Sequence, residues 1–364
     1  MRSRVRLPFL INSSDDDIPV IAVSCVVLNF GYADFVVDCL ASIDRSADRG
    51  DVEVILVDNG SSVADLARLK RELEIRGIAP DILVELPVNA GFASGMNAGI
   101  AIARGNVVIA ANSDTIVGTG VLPSIARAAQ VNPESGFFAI PVYHAPLERG
   151  RLKPGKEIQA EVVGLTWYVS CMPVTAATLS SHFVLGPPGC FVAMSRRLID
   201  ALMLKYGCVY DPHFFLYGED VDLFLRARQA GFKTSILSGG PATDDVVWHA
   251  GSASTSEGSI ATIRKSPAVA AMILDGFLDN AIHHASYLEL PAFVLLTAVF
   301  RCVFCLGYLR AHSWHSLLEL ARSKRRPMPA QVSRSRPIRP RLLPQIALLH
   351  TRPFPWARAQ RDRP

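Results

Sequence analysis

The sequence lacks the loops by which nucleotide sites are most readily told. No G-x-G-x-x-G turn follows its first apolar run and no G-x-x-x-x-G-K-[ST] loop occurs, which argues against an ordinary dinucleotide fold and against P-loop ATP chemistry. Cysteine is scarce, at seven in 364 residues. The C-x-x-C spacing Cys302-Val303-Phe304-Cys305 lies in an apolar stretch without polar company, so these thiols read as buried and reduced rather than as zinc or redox ligands. Met1 to Asp17 carries arginines but no long apolar core and ends in three aspartates, unlike a secretory signal, and the expected location is cytoplasmic. Internal repeats are missing too. What remains is long enough for one core of roughly 250 residues and a tail.

The N-terminal half is a series of apolar strands, each ending in polar residues. Val20 to Asn29 is a continuous apolar run of the kind buried in a parallel sheet, and a helix-like segment, Phe35 to Ile43, follows it. A second strand, Val52 to Val57, ends in Asp58-Asn59-Gly60, where the Asn-Gly turn leaves Asp58 at the tip as a candidate ligand-binding carboxylate. A third, near Asp81 to Leu86, leads into the glycine-rich stretch from Asn89 to Gly99, with a helix expected to open near Gly95 and offer amides to an anion. The fourth, Asn106 to Ala111, ends in Asn112-Ser113-Asp114. Four such units predict an open, mixed but mostly parallel α/β sheet flanked by helices, with a crevice of nucleotide size at its carboxyl edge.

The densest chemistry lies further on, in Phe214-Phe215-Leu216-Tyr217-Gly218-Glu219-Asp220-Val221-Asp222-Leu223. Acids walled by apolar side chains are costly unless they pair, bind a cation or hold a proton for chemistry. The pattern predicts a helix with acids in its first turn, Arg226 and Arg228 in its last, and Gly231 as its stop. Asp220 and Asp222 then point to different sides, so that one faces a cavity while the other anchors the helix end. The plain alternative is a charge cluster that only complements the helix dipole.

Asp58-Asn59-Gly60-Ser61, the Asn89-x-Gly91-Phe92-Ala93-x-Gly95-x-Asn97-x-Gly99 stretch, Asn112-Ser113-Asp114, Gly189 before Arg196-Arg197, and the Phe214 to Leu223 segment occur in order. Together, over roughly Val20 to Ser252, they resemble a family 2 glycosyltransferase of the GT-A fold, in the style of bacterial rhamnosyltransferases. The resemblance implies inverting transfer of a sugar, rhamnose by this likeness, from a nucleotide-diphosphate donor to a hydroxyl of a glycan or lipid-linked acceptor. It also implies a divalent metal, Mg²⁺ or Mn²⁺, on the diphosphate. By the same resemblance Asp58 contacts the base. Leu28, Asn29, Asn59, Asn89, Gly91, Gly95, Asn97 and Asn112 lie along the nucleotide sugar, and Asp114 ligates the metal. The first position of the family's Asp-x-Asp motif is here Asn112, which offers an oxygen or holds a water. His249, at the end of a short strand Val246 to His249, is implied to complete the metal site; without the resemblance it reads as a hydrogen-bonded structural residue. Asp220 becomes the base, with Glu219 as the competing choice.

Elementary chemistry agrees with that assignment. A diphosphate leaving group gathers charge that an oxygen-bound Mg²⁺ or Mn²⁺ stabilises. A carboxylate base on the opposite sugar face gives inversion by in-line attack, whereas retention by double displacement needs a second carboxylate as nucleophile. A catalytically inactive nucleotide-sugar-binding or scaffold protein of a polysaccharide assembly complex is the rival from another class. Nucleotidyltransferases, which also use such sheets and metals, are the rival enzyme.

Residues Tyr143 to Phe183 lack periodicity and read as an irregular insertion or hairpin beside the acceptor. Phe183 to Met194 reads as a turn into a strand. The expected organisation is a flexible N-terminus over 1–18, a catalytic domain over 19–255, a helical and membrane-associated appendage over 256–320, and a basic Pro/Arg-rich tail over 321–364. Ala292 to Leu309 is apolar apart from Arg301, close to the minimum for a span. Because an arginine at mid-span costs about 2.5–3.5 kcal/mol, a helix in the membrane interface or packed on the catalytic domain is the preferred reading. Arg322 to Pro364 carries twelve Lys or Arg against Asp362, so a chain of net charge +4 has +11 in its tail and −7 elsewhere. Such a tail suits anionic lipid on the inner face of the cell membrane, at about 1 kcal/mol per basic residue. A solvated tail without partner is the plainer alternative. No nucleic acid is expected, because a recognition module is missing and Phe354 and Trp356 are the tail's stacking residues.

Overall fold

In a computed structural model of the chain, the described residues are 21–46, 51–148, 151–165, 171–174, 184–250 and 267–285, with isolated helical positions from 291 to 302. The expectations for 1–18 and 321–364, and for most of 292–309, lie outside them.

The expected βα units form. Strand β1 (Val23–Asn29) is followed by α1 (Ala33–Ser46), β2 (Val52–Asp58) by α2 (Val63–Ile75), β3 (Ile82–Glu85) by α3 (Phe92–Ile100), and β4 (Val107–Asn112) by a short β5 (Thr115–Val117) and α4 (Val121–Val131). β1 lies between β4 and β2, both parallel to it, and β3 adds in parallel outside β2. Strands β6 (Ser135–Ala139), β13 (Phe191–Ser195) and β14 (Lys233–Ile236) extend the sheet to seven, in the order β14-β6-β13-β4-β1-β2-β3. β13 runs antiparallel to both neighbours, so the sheet is mixed and mostly parallel, as predicted.

Burial explains the strand composition. Cys25, Val26, Val27, Ile55, Leu56 and Val57 are fully buried, because helices cover both faces of the sheet and leave no polar side to alternate with. Each such aliphatic side chain contributes about 1.5–3 kcal/mol by leaving water.

The irregular middle folds into small sheets. β7 (Val142–His144), β8 (Leu147–Glu148), β9 (Arg151–Leu152), β10 (Ile158–Ala160), β11 (Val162–Leu165) and β12 (Cys171–Val174) follow β6. Of these, β10 and β7 join β15 (Val247–His249) and β5 in a four-stranded sheet. Beyond β13 come α5 (Arg196–Tyr206), which Gly207 ends in the left-handed region, and α6 (Glu219–Gln229). Helix α7 (Pro267–His284), from the expected appendage, packs against α6.

Candidate active site

The carboxyl edge of the sheet opens into a cavity of about 240 Å³ lined by Leu28, Phe30, Tyr32, Phe35, Asn59, Asn89, Gly91, Phe92, Asn112, Ser113, Asp114, Phe215 and Leu216. Register puts the strand tips together: Asn29 is level with Asp58, and Leu28 with Asn112. Five of the thirteen lining residues are aromatic, with Tyr32 and Phe35 stacked at 5.8 Å between ring centroids. The polar residues of the wall are Asn59, Asn89, Asn112, Ser113 and Asp114.

Other predicted residues, together with Asn59 of the wall itself, are hydrogen-bonded into the scaffold. Asp58 is buried and accepts from Asn29 Nδ2 at 2.8 Å, from Ser61 Oγ at 2.6 Å and from the Ser61 amide at 3.0 Å. Asn29 Oδ1 in turn accepts from the Tyr32 amide at 3.2 Å, which fixes the aromatic segment after β1. Asn59 accepts from the Ala90 amide at 3.0 Å and donates to Gly91 O at 3.1 Å, stapling the β2 tip to the glycine-rich stretch. Asn97 spends its amide on the backbone of Tyr210, donating to its carbonyl at 2.7 Å and accepting from its N–H at 2.9 Å.

The expected helix opening at Gly95 is displaced. α3 starts at Phe92, because Gly91 takes φ of +85° and turns the chain into the helix there. The amides of Ala90, Gly91 and Phe92 are taken by Asn59, Asn89 and Phe215 O, so they are not presented to an anion. Gly95 lies inside the first turns of α3, where a Cβ would come within 2.7 Å of Leu28 Cδ1.

Asp114 and His249 meet although they are far apart in sequence. β5 and β15 pair antiparallel with Thr115 opposite His249, and the Ala250 amide donates to Asp114 O at 3.2 Å. The side chains follow, with His249 Nε2 at 3.3 Å from Asp114 Oδ1 and Nδ1 at 3.3 Å from Gln159 Oε1. Burial opposes a charged imidazole, but Cys190 and the Asp114 carboxylate beside it hold the His249 pKa well above its ordinary value. Among the described residues no cluster of three or more His, Cys, Asp or Glu is placed to hold a metal. Asp114, which lines the cavity, and His249 beside it fit one in donor chemistry: they would offer an oxygen and, once the imidazole has given up its proton, a nitrogen.

The acidic helix reaches the same region by way of β13. The amide of Asn112 donates to Cys190 O at 2.9 Å, and a Cβ on neighbouring Gly189 would stand 2.7 Å from Asp220 Oδ2. Asp114 and Asp220 therefore lie on one edge of the sheet, both near the Gly189-Cys190 turn. Asp222 points the other way, into a buried ion pair with Arg226 at 2.6 Å and a hydrogen bond with His284 Nε2 at 2.8 Å. Glu219 is buried, and burial together with the charge of Asp220 pushes its pKa up to about 8. The raised pKa favours the protonated carboxyl at Glu219, which lessens the negative charge beside Asp220.

Phe30, Tyr32, Phe35 and Ser113 were not singled out by sequence. The aromatic Phe30-Gly31-Tyr32 directly after a strand tip was the available signal for two of them. Cys190, against His249, carried none.

Residues 24–201 match the family described as "Glycosyl transferase family 2". No curated protein matches the chain. Among solved structures, S. aureus TarS 1-349 aligns at 15% identity over 72% of this chain and 66% of its own, with a TM-score of 0.45. The same protein in complex with UDP aligns at 14% identity over the same shares, with a TM-score of 0.45. GalNAc-T7 with UDP, GalNAc and Mn²⁺ aligns at 15% identity over 63% of this chain and 43% of its own, with a TM-score of 0.50. The chain thus spans no more than 66% of these solved proteins. The fold is that of the GT-A glycosyltransferases, and residues 24–201 carry the sequence pattern of glycosyl transferase family 2.

Proposed function

We propose that the chain is an inverting glycosyltransferase that moves a sugar from a nucleotide-diphosphate donor to a hydroxyl of a glycan or lipid-linked acceptor, in bacterial surface-polysaccharide synthesis. One observation carries the reading: Asp114 lines the cavity at the carboxyl edge of the sheet and Asp220 stands against Gly189, next to the Cys190 whose carbonyl accepts from Asn112, within a fold that in GalNAc-T7 holds UDP, GalNAc and Mn²⁺. The aromatic wall from Phe30 to Phe35 suits the flat base, and Asn89 and Asn112 suit the ribose and diphosphate. Asp114 and His249 would hold Mg²⁺ or Mn²⁺, which when bound neutralises charge on the departing diphosphate. Asp220 takes the proton of the acceptor hydroxyl, and the raised pKa of Glu219 disfavours a second negative charge next to it. Rhamnose is the first sugar to test, because the ordered motifs with Asn112 resemble rhamnosyltransferases.

Contact with the membrane belongs to the same reading. No helix among the described residues is long and apolar enough to cross a membrane. Ala292, Leu295, Val299 and Cys302, spaced as one face of a helix, are apolar and exposed, so Cys302 is not buried as the sequence predicts, and this face supports a helix lying on lipid at the inner face of the cell membrane.

The test is a thermal-shift screen of nucleotide sugars with and without Mn²⁺, followed by detection of released nucleoside diphosphate with the donor that binds. A ligand selective for the folded state raises the melting point. A metal-linked shift and loss of turnover in Asp220→Asn with donor binding kept are expected. No metal-linked shift with any donor would sink the proposal, unchanged turnover in Asp220→Asn would remove the base, and release of inorganic diphosphate would indicate a nucleotidyltransferase.

A further inference from the structure

The turn that delivers Glu219 and Asp220 is strained. Tyr217, which has a side chain, sits at φ of +69°, and Gly218 follows at +97°, two successive residues in the left-handed region. Gly218 then caps α6 without any side-chain cap of its own. Such a conformation persists where the surroundings impose it, and here they come from α7, some sixty residues on.

The contacts are specific. Asn280 is fully buried, and its Nδ2 donates to Gly218 O at 2.9 Å, the same carbonyl that accepts the Asp222 amide at 3.1 Å. Gly276 lies one helical turn before it, and a Cβ there would stand 2.5 Å from Tyr217 O. Asp279 holds His213 at 3.1 Å, at the start of the same loop, and His284 holds Asp222 at 2.8 Å, one turn into α6. On its opposite side the loop accepts the Phe92 amide on Phe215 O at 2.6 Å and presents Phe215 and Leu216 to the cavity. The loop is therefore gripped between the donor cavity and α7.

We propose that α7 is part of the catalytic apparatus, and that Asn280 is a positioning residue which, with Gly276, holds the Tyr217-Gly218 turn so that Asp220 keeps its place against Gly189 at the edge of the site. The family match ends at residue 201, before α6 and α7, so it assigns no role to either. The Asn280 carbonyl oxygen is buried without a partner among the described residues, a costly arrangement for a residue kept only to fill a helix face. Truncating Asn280 leaves Gly218 O its helical bond and removes the tie to α7.

This inference rests on the reading of Asp220 as the base, and the experiment separates the two. Asn280→Ala, Asn280→Gln and Gly276→Ala are compared with Asp220→Asn and with Leu73→Ala in α2, a destabilised control remote from the site. For Asn280→Ala and Gly276→Ala, kcat is expected to fall about 10- to 100-fold. Donor Kd should stay within about twofold, and Asn280→Gln should recover part of the loss. If Asn280→Ala loses no more kcat than Leu73→Ala at matched melting temperature, α7 is only a packing element and the proposal fails. If Asp220→Asn keeps its activity, the assignment of the base fails instead.

Discussion

Gly189 and Asp220 share a space that admits no further atom: a Cβ on Gly189 would stand 2.7 Å from Asp220 Oδ2. The glycine lies in the turn that enters β13, between the carboxylate proposed as base and the Asn112 to Asp114 tip. Gly189→Ala should turn the Asp220 carboxylate aside, since a short side chain yields before backbone does. Misplacement by about 1 Å is worth about a hundredfold in rate. Steady-state kinetics should show that loss in kcat with little change in melting temperature, and unchanged kcat would remove Asp220 from the reaction.

Glu219 makes stability depend on pH. Its folded pKa, about 8, lies above the ordinary 4.5, so its contribution is fully present below about pH 4.5 and is lost as pH rises through 8. Glu219→Gln removes the titration. The melting temperature of the variant relative to wild type should therefore rise between pH 5 and pH 9, and a constant difference would mean that Glu219 is ionised throughout.

Asp222 behaves in the opposite sense. Burial alone would raise its pKa, but Arg226 and His284 hold it well below the usual carboxylate range, so the pair stabilises at neutral pH and its contribution is lost as acid titrates the carboxylate, below about pH 4. Arg226→Met removes the guanidinium partner of buried Asp222, leaving it His284 alone, and should cost about 3–5 kcal/mol. Urea unfolding at pH 7 measures it, and a loss under about 1 kcal/mol would show that the pair is hydrated.

Asp114→Asn and His249→Gln should each abolish the Mn²⁺-dependent part of donor binding while leaving the metal-free part within a few fold. Calorimetry with nucleoside diphosphate, with and without Mn²⁺, reads both. Equal metal dependence in wild type and both variants would place the cation elsewhere.

The basic tail should bind anionic vesicles. Pelleting with phosphatidylserine-containing liposomes should weaken as salt rises and vanish when residues after Ala321 are deleted. Pelleting indifferent to salt and to the deletion would leave the tail without an electrostatic role.

The strands and their polar tips were legible because a strand buried on both faces must be continuously apolar, and Asn-Gly or Asn-Ser-Asp must end it. The start of α6 was legible for a similar reason, its acids and arginines marking the two ends of a short helix. Local pattern also predicted that Asp220 and Asp222 diverge, since helical spacing alone sets their directions. It misplaced the opening of α3 by three residues, because the positive φ of Gly91 is chosen by packing against Phe215, a residue far along the chain.

By itself, the sequence determined the α/β class, the polar edge where the site lies, and the acids that stand there. Tertiary structure alone decided which of those residues face the cavity and which are spent on the frame. Asp58 and Asn97 look like ligand groups in sequence, yet their hydrogen bonds go to Asn29, Ser61 and the backbone of Tyr210. Asp114 gains His249, and Gly218 gains Asn280, across 135 and 62 positions of chain. Hydrogen bonds and close packing act over about 3 Å in space regardless of separation in sequence, so only the folded chain fixes which polar groups are already satisfied.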